Sequence, residues 1–378
     1  MKLAEFNVMM LLTDGFGGFG GISRFNRDYL TALDNCGAVT RILAFPRVIR
    51  DRIEEELPES VVYFRASAAG KSRYLWHLMR GLHLSPEINL VVCGHIHLLP
   101  LAYAAAKAKR ARLALIIHGV EAWKPTRYAM ANMIASRVDA VVAVSRLSAQ
   151  RFARWASIPD DRIFILGNCV DLDHFTPMPR DERLAARYGL TGRRVIMTLG
   201  RLADRERYKG FDEVLDVLPQ LVRKTPDIKY LIVGDGDDRP RLEARAALLG
   251  LTEHVVFAGK TTESEKVAHY SLADVYVMPS SGEGFGIVLL EAAACGVPVI
   301  GSIADGSREA LLNGALGDLV DPKNPDQLAA TILRLLESNA PRRRPEAITA
   351  FSVPEFQAKV CQWTKWQMDA IRDRARAA

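Results

Sequence analysis

The chain has 378 residues, of which 49% are hydrophobic and 25% charged, with 27 glycines and 18 prolines. This composition is typical of a globular protein and excludes a disordered, collagen-like or disulfide-dense chain, while the length predicts two domains. The net charge of +6 lies in the first 175 residues, which hold 22 Lys and Arg against 16 Asp and Glu. Either this bias is incidental to a solvated surface or it favours an anionic partner, but the absence of a dense basic run argues against nucleic acid.

The cysteines and the N-terminus predict a cytoplasmic location. No run of residues approaches the roughly 18 apolar residues of a membrane span, and the first five residues lead into a strand without a signal-peptide layout. The five cysteines are scattered and form no C-x-x-C pair; they are Cys36, Cys93, Cys169, Cys295 and Cys361. We therefore expect a reducing compartment, with neither a disulfide framework nor a structural zinc site.

Apolar runs alternate with helix-like stretches through the first half of the chain. Strands are predicted at residues 6–13, 39–45, 61–64, 88–93, 112–117 and 138–144, and helices at 22–36, 98–109 and 147–156. Short apolar strands that lack a period-two alternation and are separated by helices indicate a parallel sheet covered on both faces. The alternation fails at residues 168–180, where Pro177, Pro179 and several aspartates indicate a linker.

A second cycle of strands and helices follows the linker. Strands are predicted at residues 194–199, 228–233, 254–257, 275–278 and 297–300, and helices at 208–224, 240–249, 264–272, 285–295 and 354–376. The sequence thus predicts an α/β protein of two doubly wound, Rossmann-like domains, residues 1–175 and 176–353, facing each other across a cleft. Ligands of such sheets bind beyond the carboxyl ends of the strands. The last helix, within residues 354–378, is predicted to return to the first domain.

A glycine-rich loop, Gly15-Phe-Gly17-Gly-Phe-Gly20-Gly21, follows the first strand. It satisfies G-x-G-x-x-G, so an NAD(P)-dependent oxidoreductase is one alternative. Against this, the second strand ends without the carboxylate that such sites place on the ribose, and only Arg47 could meet the phosphate of NADP. The same loop would let a phosphate or an acceptor approach the amides of a helix N-terminus.

Two D-x-D patterns are of the kind that holds a divalent metal on a sugar nucleotide. Asp171 and Asp173 fall in the linker, and Asp235 and Asp237 lie between a strand and a helix. Aspartate favours turns and helix caps at such positions, so no metal site is predicted. His95 and His97, after another strand, are expected to line the cleft rather than to bind metal.

Residues 280–298 carry the most informative pattern, a strand end followed by a glycine-rich turn and a helix. The free amides of the first helical turn suit a pyrophosphate. Glu283 in the turn and Glu291 on the helix would accept hydrogen bonds from hydroxyls on either side of it, which predicts a nucleotide sugar as the ligand. Arg201 and Lys209, near an earlier strand end, would neutralise the diphosphate. Alternatively, these residues have no ligand. Glu283 would then be an acid favoured by the dipole at the start of a helix, Glu291 a surface glutamate, and Arg201 and Lys209 a solvated pair of cations.

Four stretches of the chain together resemble a family 4 retaining glycosyltransferase of the GT-B fold. They are Glu283 and Glu291 with their flanking glycines, Gly200-Arg201-Leu202, Lys209-Gly210 and Val233-Gly-Asp-Gly236. The resemblance covers nearly the whole chain. It implies that Glu291 holds the ribose, Glu283 holds the transferred sugar and His118 lies beside C6 of that sugar. The implied catalytic residues are His118, Arg201, Lys209 and Glu283; the donor-binding residues are Gly18, Arg201, Lys209, Gly234, Glu283, Gly284, Phe285, Gly286, Ile287, Val288 and Glu291; the acceptor-side residues are Gly17, Gly20, Gly21, His95 and Glu121.

One stretch departs from the family pattern. Many members carry two glycines followed by a proline and a glutamate after the strand equivalent to residues 297–300, whereas this chain has Asp305-Gly306-Ser307-Arg308-Glu309. The departure leaves the role of Glu309 open.

The resemblance implies a retaining, metal-independent hexosyltransferase that needs no cofactor. Its donor would be a UDP- or GDP-sugar and its acceptor a saccharide or a lipid-linked molecule, in bacterial polysaccharide or glycolipid assembly. Front-face attack, in which the leaving phosphate helps to deprotonate the acceptor, is favoured over a covalent nucleophile. Besides the oxidoreductase, a nucleotide-sugar-binding protein without turnover stays an alternative.

Residues 71–84 predict an amphipathic helix with two interpretations. Its apolar stripe is Leu75, Leu78, Met79 and Leu82, and its edges carry Lys71, Arg73, Trp76 and Arg80. Such a helix either docks on anionic lipid, here at the inner face of the plasma membrane, or packs its stripe on the sheet of the first domain.

Overall fold

The structure is a computed structural model that describes residues 6–85, 87–338 and 341–377. It divides into two units, Met1–Cys169 together with Val353–Ala378, and Val170–Ser352. No helix among the described residues combines the length and the apolar character that a bilayer span requires.

Unit 1 is built on a seven-stranded sheet in the order β3-β2-β1-β4-β5-β6-β7, and its paired strands all run parallel. The strands are β1 Asn7–Leu12, β2 Arg41–Pro46, β3 Val61–Tyr63, β4 Leu90–Cys93, β5 Arg112–Ile117, β6 Ala140–Ala143 and β7 Ile163–Ile165. The helices between them are α1 Gly21–Asn35, α2 Lys71–Leu84, α3 Leu99–Lys109, α4 Ala129–Ala135 and α5 Arg146–Ala156. The four central strands are almost wholly buried, as expected of a parallel sheet covered on both faces.

Unit 2 repeats this architecture with six parallel strands in the order β10-β9-β8-β11-β12-β13. The strands are β8 Arg194–Leu199, β9 Ile228–Val233, β10 Val255–Gly259, β11 Val275–Val277, β12 Val299–Ser302 and β13 Asp318–Val320. The helices are α6 Glu182–Arg187, α7 Phe211–Lys224, α8 Arg239–Leu248, α9 Lys266–Leu272, α10 Ile287–Ala294, α11 Ser307–Ala310 and α12 Pro325–Glu337. Leu215, Leu218 and Ile232 lie fully buried in its core.

The two sheets confirm the predicted fold class. The prediction missed the edge strands β7 and β13, which have three residues each, and the helices α4, α6, α11 and α12. β7 and β13 are too short to carry a period; β3, equally short and also at a sheet edge, was predicted from its apolar run alone.

The last helix, α13 Val353–Ala377, belongs to unit 1 and packs along α1. Three large apolar residues of α13 are buried: Phe356, Val360 and Trp363. The ring of Trp363 meets that of Tyr29 at 5.7 Å, edge to face. Aromatic pairs of this kind add to the stabilisation from burial alone.

The structure contradicts the expectation that no disulfide forms. Cys36, at the end of α1, is bonded to Cys361 in the middle of α13, with Cα atoms 5.3 Å apart. The two cysteines are 325 positions apart in the chain, so only the packing of α13 on α1 brings them together. Cys93, Cys169 and Cys295 are free and buried.

We expect reduction of this disulfide to lower the free energy of unfolding of unit 1 by about 2–5 kcal/mol, because the bond constrains the unfolded chain. The measurement is thermal unfolding with and without dithiothreitol, and Cys361→Ser should match the reduced protein. Thiol titration of the denatured, unreduced protein should find the three free cysteines; finding all five would contradict the bond.

Candidate active site

The carboxyl edge of the unit 2 sheet is formed by loops that fit closely against one another. The loop after β8 meets the loop after β11 where the Ser281 amide donates to the Tyr208 carbonyl at 2.8 Å. Gly234, after β9, lies so near the Gly200 carbonyl that a Cβ there would stand 1.9 Å from the oxygen. Because no side chain fits that space, glycine is required for these loops to meet.

Four charged side chains alternate in sign along this edge. Arg201 forms an ion pair with both oxygens of Glu206, whose carboxylate also lies 4.0 Å from Nζ of Lys209. Lys209 in turn donates to Glu283. Glu206, Lys209 and Glu283 are largely buried, whereas the side chain of Arg201 is 53% exposed. The predicted cations and the predicted sugar carboxylate are therefore neighbours, and Glu206, which the sequence analysis missed, joins them.

Asp305 braces the turn that carries Glu283. Its Oδ2 accepts from the hydroxyl of Ser280 at 2.7 Å and from the amide of Glu283 at 2.8 Å, and its Oδ1 accepts from the amide of Ser307 at 3.0 Å. Burial raises the pKa of Asp305 to about 6, although hydrogen bonds from the Ser280 hydroxyl, the Glu283 amide and the Ser307 side chain oppose the shift. The Asp-Gly departure from the family pattern thus has a structural role, while Glu309 lies half-buried on α11.

Gly306 completes this brace. Its amide donates to the carbonyl of Glu283 at 2.9 Å, and a Cβ at Gly306 would lie 2.1 Å from the carbonyl oxygen of Gly284. Only glycine permits this approach, so the Asp305-Gly306 pair fixes both sides of the turn.

The glycine-rich turn delivers the N-terminus of α10 to the same edge. Gly286 has φ of +93° and caps the helix, whose first residues are Ile287 and Val288. The helix begins two residues later than residue 285, where it was predicted. First-turn amides have no partner within a helix and carry its positive dipole end, so they can bind an anion.

Glu291 is buried on α10 rather than lying on the surface, with 2% exposure. Its carboxylate accepts from Nζ of Lys266 at 3.0 and 3.3 Å and from the hydroxyl of Tyr270 at 2.8 Å. Burial lowers the pKa of Lys266, but the charges of Glu291 and Glu263 outweigh it and leave that pKa raised. Lys266 and Tyr270, both on α9, were missed because no spacing relates them to Glu291.

In unit 1, the glycine loop after β1 is partly committed to its own fold. The amide of Gly18 donates to the Gly15 carbonyl at 3.0 Å, and the Gly17 carbonyl accepts from the amides of residues 50 and 51. Gly20, with φ of +88°, and Gly21 are exposed, and a Cβ at either would meet open space. The exposed half of the loop, at the N-terminus of α1, is thus where a ligand has room to approach.

His118, His95 and Glu121 gather at the carboxyl ends of β4 and β5. Nε2 of His118 lies 3.0 Å from the Gly94 carbonyl, which can only accept, so Nε2 carries the proton. Glu121 accepts from the His118 amide at 2.6 Å. Burial lowers the pKa of both histidines to about 4, so both are neutral at physiological pH.

The first D-x-D pattern forms a turn, as its position predicts, whereas Asp237 of the second pattern bonds the loop after β8 instead of capping α8. Asp171 accepts from the amides of residues 173 and 174, and Asp237 accepts from the Asp204 amide at 2.9 Å. Within the described ranges, His, Cys, Asp and Glu do not gather into a group of three or more that could hold a metal ion.

The unit 2 edge therefore combines the cations Arg201 and Lys209 with the N-terminus of α10. Three carboxylates accompany them, those of Glu206, Glu283 and Glu291. Cations and free amides bind phosphate oxygens, and carboxylates accept hydrogen bonds from hydroxyls. An α/β protein with two doubly wound units and such a site is of the nucleotide-sugar-binding class.

Comparisons with known proteins agree with this class. Residues 181–349 match the glycosyl transferases group 1 family, and residues 19–174 match glycosyltransferase family 4. The chain belongs to the family 4 glycosyltransferases and has the GT-B fold, which confirms the resemblance and decides against an oxidoreductase.

Two relatives are described as GDP-mannose-dependent alpha-(1-6)-phosphatidylinositol monomannoside mannosyltransferases. The protein of Mycolicibacterium smegmatis is 38% identical over 65% of this chain and 66% of its own length. That of Mycobacterium tuberculosis is 35% identical over 68% of this chain and 69% of its own. The match thus spans about two thirds of each relative's length.

Solved structures show the same fold. Anabaena Alr3699/HepE, in complex with UDP and glucose, superimposes with a TM-score of 0.77 over 96% of this chain and 100% of its own, at 21% identity.

Proposed function

We propose that the protein transfers mannose from GDP-mannose to a hydroxyl of a lipid-linked acceptor of the phosphatidylinositol type. The observation that carries the donor half is the contiguous set Arg201, Glu206, Lys209 and Glu283 beside the N-terminus of α10. The choice of GDP-mannose and of the lipid acceptor rests on the relatives' names.

We propose further that the transfer retains configuration and needs no divalent metal. The acceptor oxygen forms its bond to C1 on the face from which the diphosphate leaves, and the acceptor proton passes to a phosphate oxygen. Arg201, Lys209 and the α10 amides stabilise the charge that develops on the diphosphate. Because Glu283 forms an ion pair with Lys209, it is better suited to holding sugar hydroxyls than to attacking C1.

The test is turnover of radiolabelled GDP-mannose, UDP-glucose and UDP-galactose with phosphatidylinositol vesicles, each with and without EDTA. We expect transfer from GDP-mannose, unchanged by EDTA, and an α-linked product by nuclear magnetic resonance. Chelator-sensitive transfer restored by manganese would refute metal independence, and a β-linked product would refute retention. Tight donor binding without transfer or hydrolysis would favour the binding protein without turnover.

The lipid half of the proposal is supported by α2. Only two residues of the predicted stripe, Leu78 and Leu82, pack inward. The helix faces Phe45 with Tyr74 and Gly81 instead, so Leu75 and Met79 point away from the core. The remaining apolar side chains stay exposed, together with three basic residues: Leu75, Trp76 and Met79 are 48–58% exposed, beside Lys71, Arg73 and Arg80. The guanidinium of Arg80 lies 5.3 Å from the Trp76 ring centroid. This face has the composition of an interfacial helix.

We expect the wild-type protein to sediment with anionic vesicles at low salt. The double variant Trp76→Ser with Met79→Ser should bind these vesicles at least about tenfold more weakly, because each apolar side chain contributes about 1.5–3 kcal/mol when buried. Leu248→Ser is the matched control, because Leu248 is 88% exposed on α8 of unit 2. Equal sedimentation of wild type and double variant would show that α2 does not contact lipid.

A further inference from the structure

A cavity of about 240 Å³ opens at the amino edge of the unit 1 sheet. Ile88, just before β4, and Arg112, the first residue of β5, line it. The candidate-site residues Gly94 and His118 follow the carboxyl ends of the same two strands. A six-residue strand is roughly 20 Å long, so this cavity is a separate place on unit 1.

The cavity is lined by four cations and one carboxylate: Lys109, Arg110, Arg112 and Arg374 against Glu87. In the part of the chain that the structure describes, none of the four cations has a carboxylate oxygen within 4.0 Å, unlike Arg241 and Arg245 of unit 2. Four cations against the single carboxylate of Glu87 leave a net positive charge at the cavity, and a bound anion would offset that charge.

Arg112 is a half-buried cation of this cavity. Its Nε donates to Oε1 of Gln367 at 3.1 Å, and its other contact is the Asp139 carbonyl at 3.4 Å. Burial lowers the pKa of Arg112, the charges of Arg374 and Arg162 lower it further, and Asp139 opposes them. The guanidinium is thus partly desolvated and bonded to neutral oxygens, a setting in which an anion binds with little competition from water.

Gln367 holds Arg112 from α13 but does not itself line the cavity. The residue is fully buried, and its Oε1 accepts from Arg112, which does line the cavity. Gln367 therefore positions the guanidinium for a ligand in the cavity.

We propose that this cavity is a second binding site of the protein, selective for phosphate-class anions of the size of phosphate or diphosphate. Arg110 and Arg374, both exposed, admit the anion, and Arg112 holds it. The excess of positive charge in the first 175 residues agrees with such a ligand. The phosphate is supplied either by a soluble molecule or by a lipid headgroup.

The test is calorimetric titration of the full-length protein with pyrophosphate at low salt, in a Lys209→Ala background that weakens the candidate donor site. We expect Arg110→Gln with Arg374→Gln to weaken binding about tenfold, since two charge-assisted contacts are lost. The control is Lys107→Gln with Arg372→Gln, which removes the same charge outside the cavity. Lys107 lies on α3, which ends just before Arg110, and Arg372 lies on α13 with Arg374. This control should change affinity by less than about twofold. In hydrogen exchange, pyrophosphate should protect residues 107–112 and 367–374 of the protein without the cavity substitutions.

Vesicles of phosphatidylglycerol distinguish the two sources, with Trp76→Ser and Met79→Ser included to remove the α2 contribution. A loss of pyrophosphate binding on cavity substitution supports a soluble phosphate, and a loss of vesicle binding alone supports a headgroup. Unchanged binding of both ligands, or equal loss in the Lys107 and Arg372 control, overturns the proposal. Mannosyl transfer to a soluble acceptor does not involve the cavity. Failure of the proposed function would therefore appear as a loss of turnover, and failure of the cavity proposal as unchanged anion binding.

Discussion

Replacing Lys209 by alanine is expected to lower kcat about 10²–10³-fold, the range seen when one preorganised donor to a developing negative charge is removed. Lys209 is 16% exposed and lies between the carboxylates of Glu206 and Glu283. In the proposed reaction, negative charge grows on the departing diphosphate, and the buried ammonium is placed beside the helix N-terminus that would receive it. The measurement is steady-state turnover of GDP-mannose, with GDP affinity measured in parallel.

The control for this variant is Arg205→Ala in the same loop. Arg205 is 79% exposed and lies 3.9 Å from Glu206, so its loss should change kcat by less than about twofold. Because removing Lys209 also leaves Glu206 and Glu283 with less counter-charge, thermal unfolding of both variants must be compared. If Lys209→Ala keeps full turnover, the lysine only joins two loops, and another group must carry the diphosphate charge.

The part of the site that is local in sequence was predictable. Glu283 and Glu291 lie on one continuous strand-turn-helix segment, so their spacing alone places them on either side of a helix N-terminus. Periodicity likewise indicated the buried parallel strands of both sheets.

Residues that reach the site from other segments were not predictable. Lys266 contacts Glu291 from α9, and Asp305 contacts the Glu283 turn from the end of β12. These contacts depend on strand order, which places β12 next to β11 in the sheet. The same reasoning explains the missed disulfide, since Cys361 reaches Cys36 only after α13 returns to unit 1.

Sequence spacing also left the orientation of α2 open. Leu75, Leu78, Met79 and Leu82 fit one helical stripe, yet Tyr74, which donates to the Phe45 carbonyl at 3.3 Å, helps to rotate the helix so that half of the stripe stays exposed. Two overlapping apolar faces on one helix satisfy the same pattern, and only packing selects between them.

Asp305→Asn is expected to lower kcat about 10–100-fold, because the amide group of asparagine places a donor against one of the three donors that the carboxylate now satisfies, at a cost of about 1–3 kcal/mol. The turn that carries Glu283 loses part of its brace, while Lys209 and the α10 amides are untouched. Asp305 is thus a positioning residue. We expect the KM for GDP-mannose to rise and the affinity for GDP, which has no sugar, to stay unchanged, whereas a general loss of folding would weaken both.

The pH dependence gives an independent readout of the same carboxyl group. With its pKa raised to about 6, Asp305 is ionised above that pH and protonated below it, so kcat/KM should fall as the pH drops through 6. Its contribution to stability has the opposite sign: the folded state binds this proton more readily than the unfolded chain, so stability from this group is present below about pH 4 and lost as the pH rises through 6. Protonation of Asp305 at low pH favours the folded state. A fall in activity toward low pH therefore cannot be attributed to unfolding caused by this group. In Asp305→Asn, the fall of kcat/KM near pH 6 should disappear. The control is Asp321→Asn, which alters a carboxylate that accepts from the Lys323 amide and should keep that fall. If Asp305→Asn lost activity just as steeply near pH 6, the titration would belong to another group.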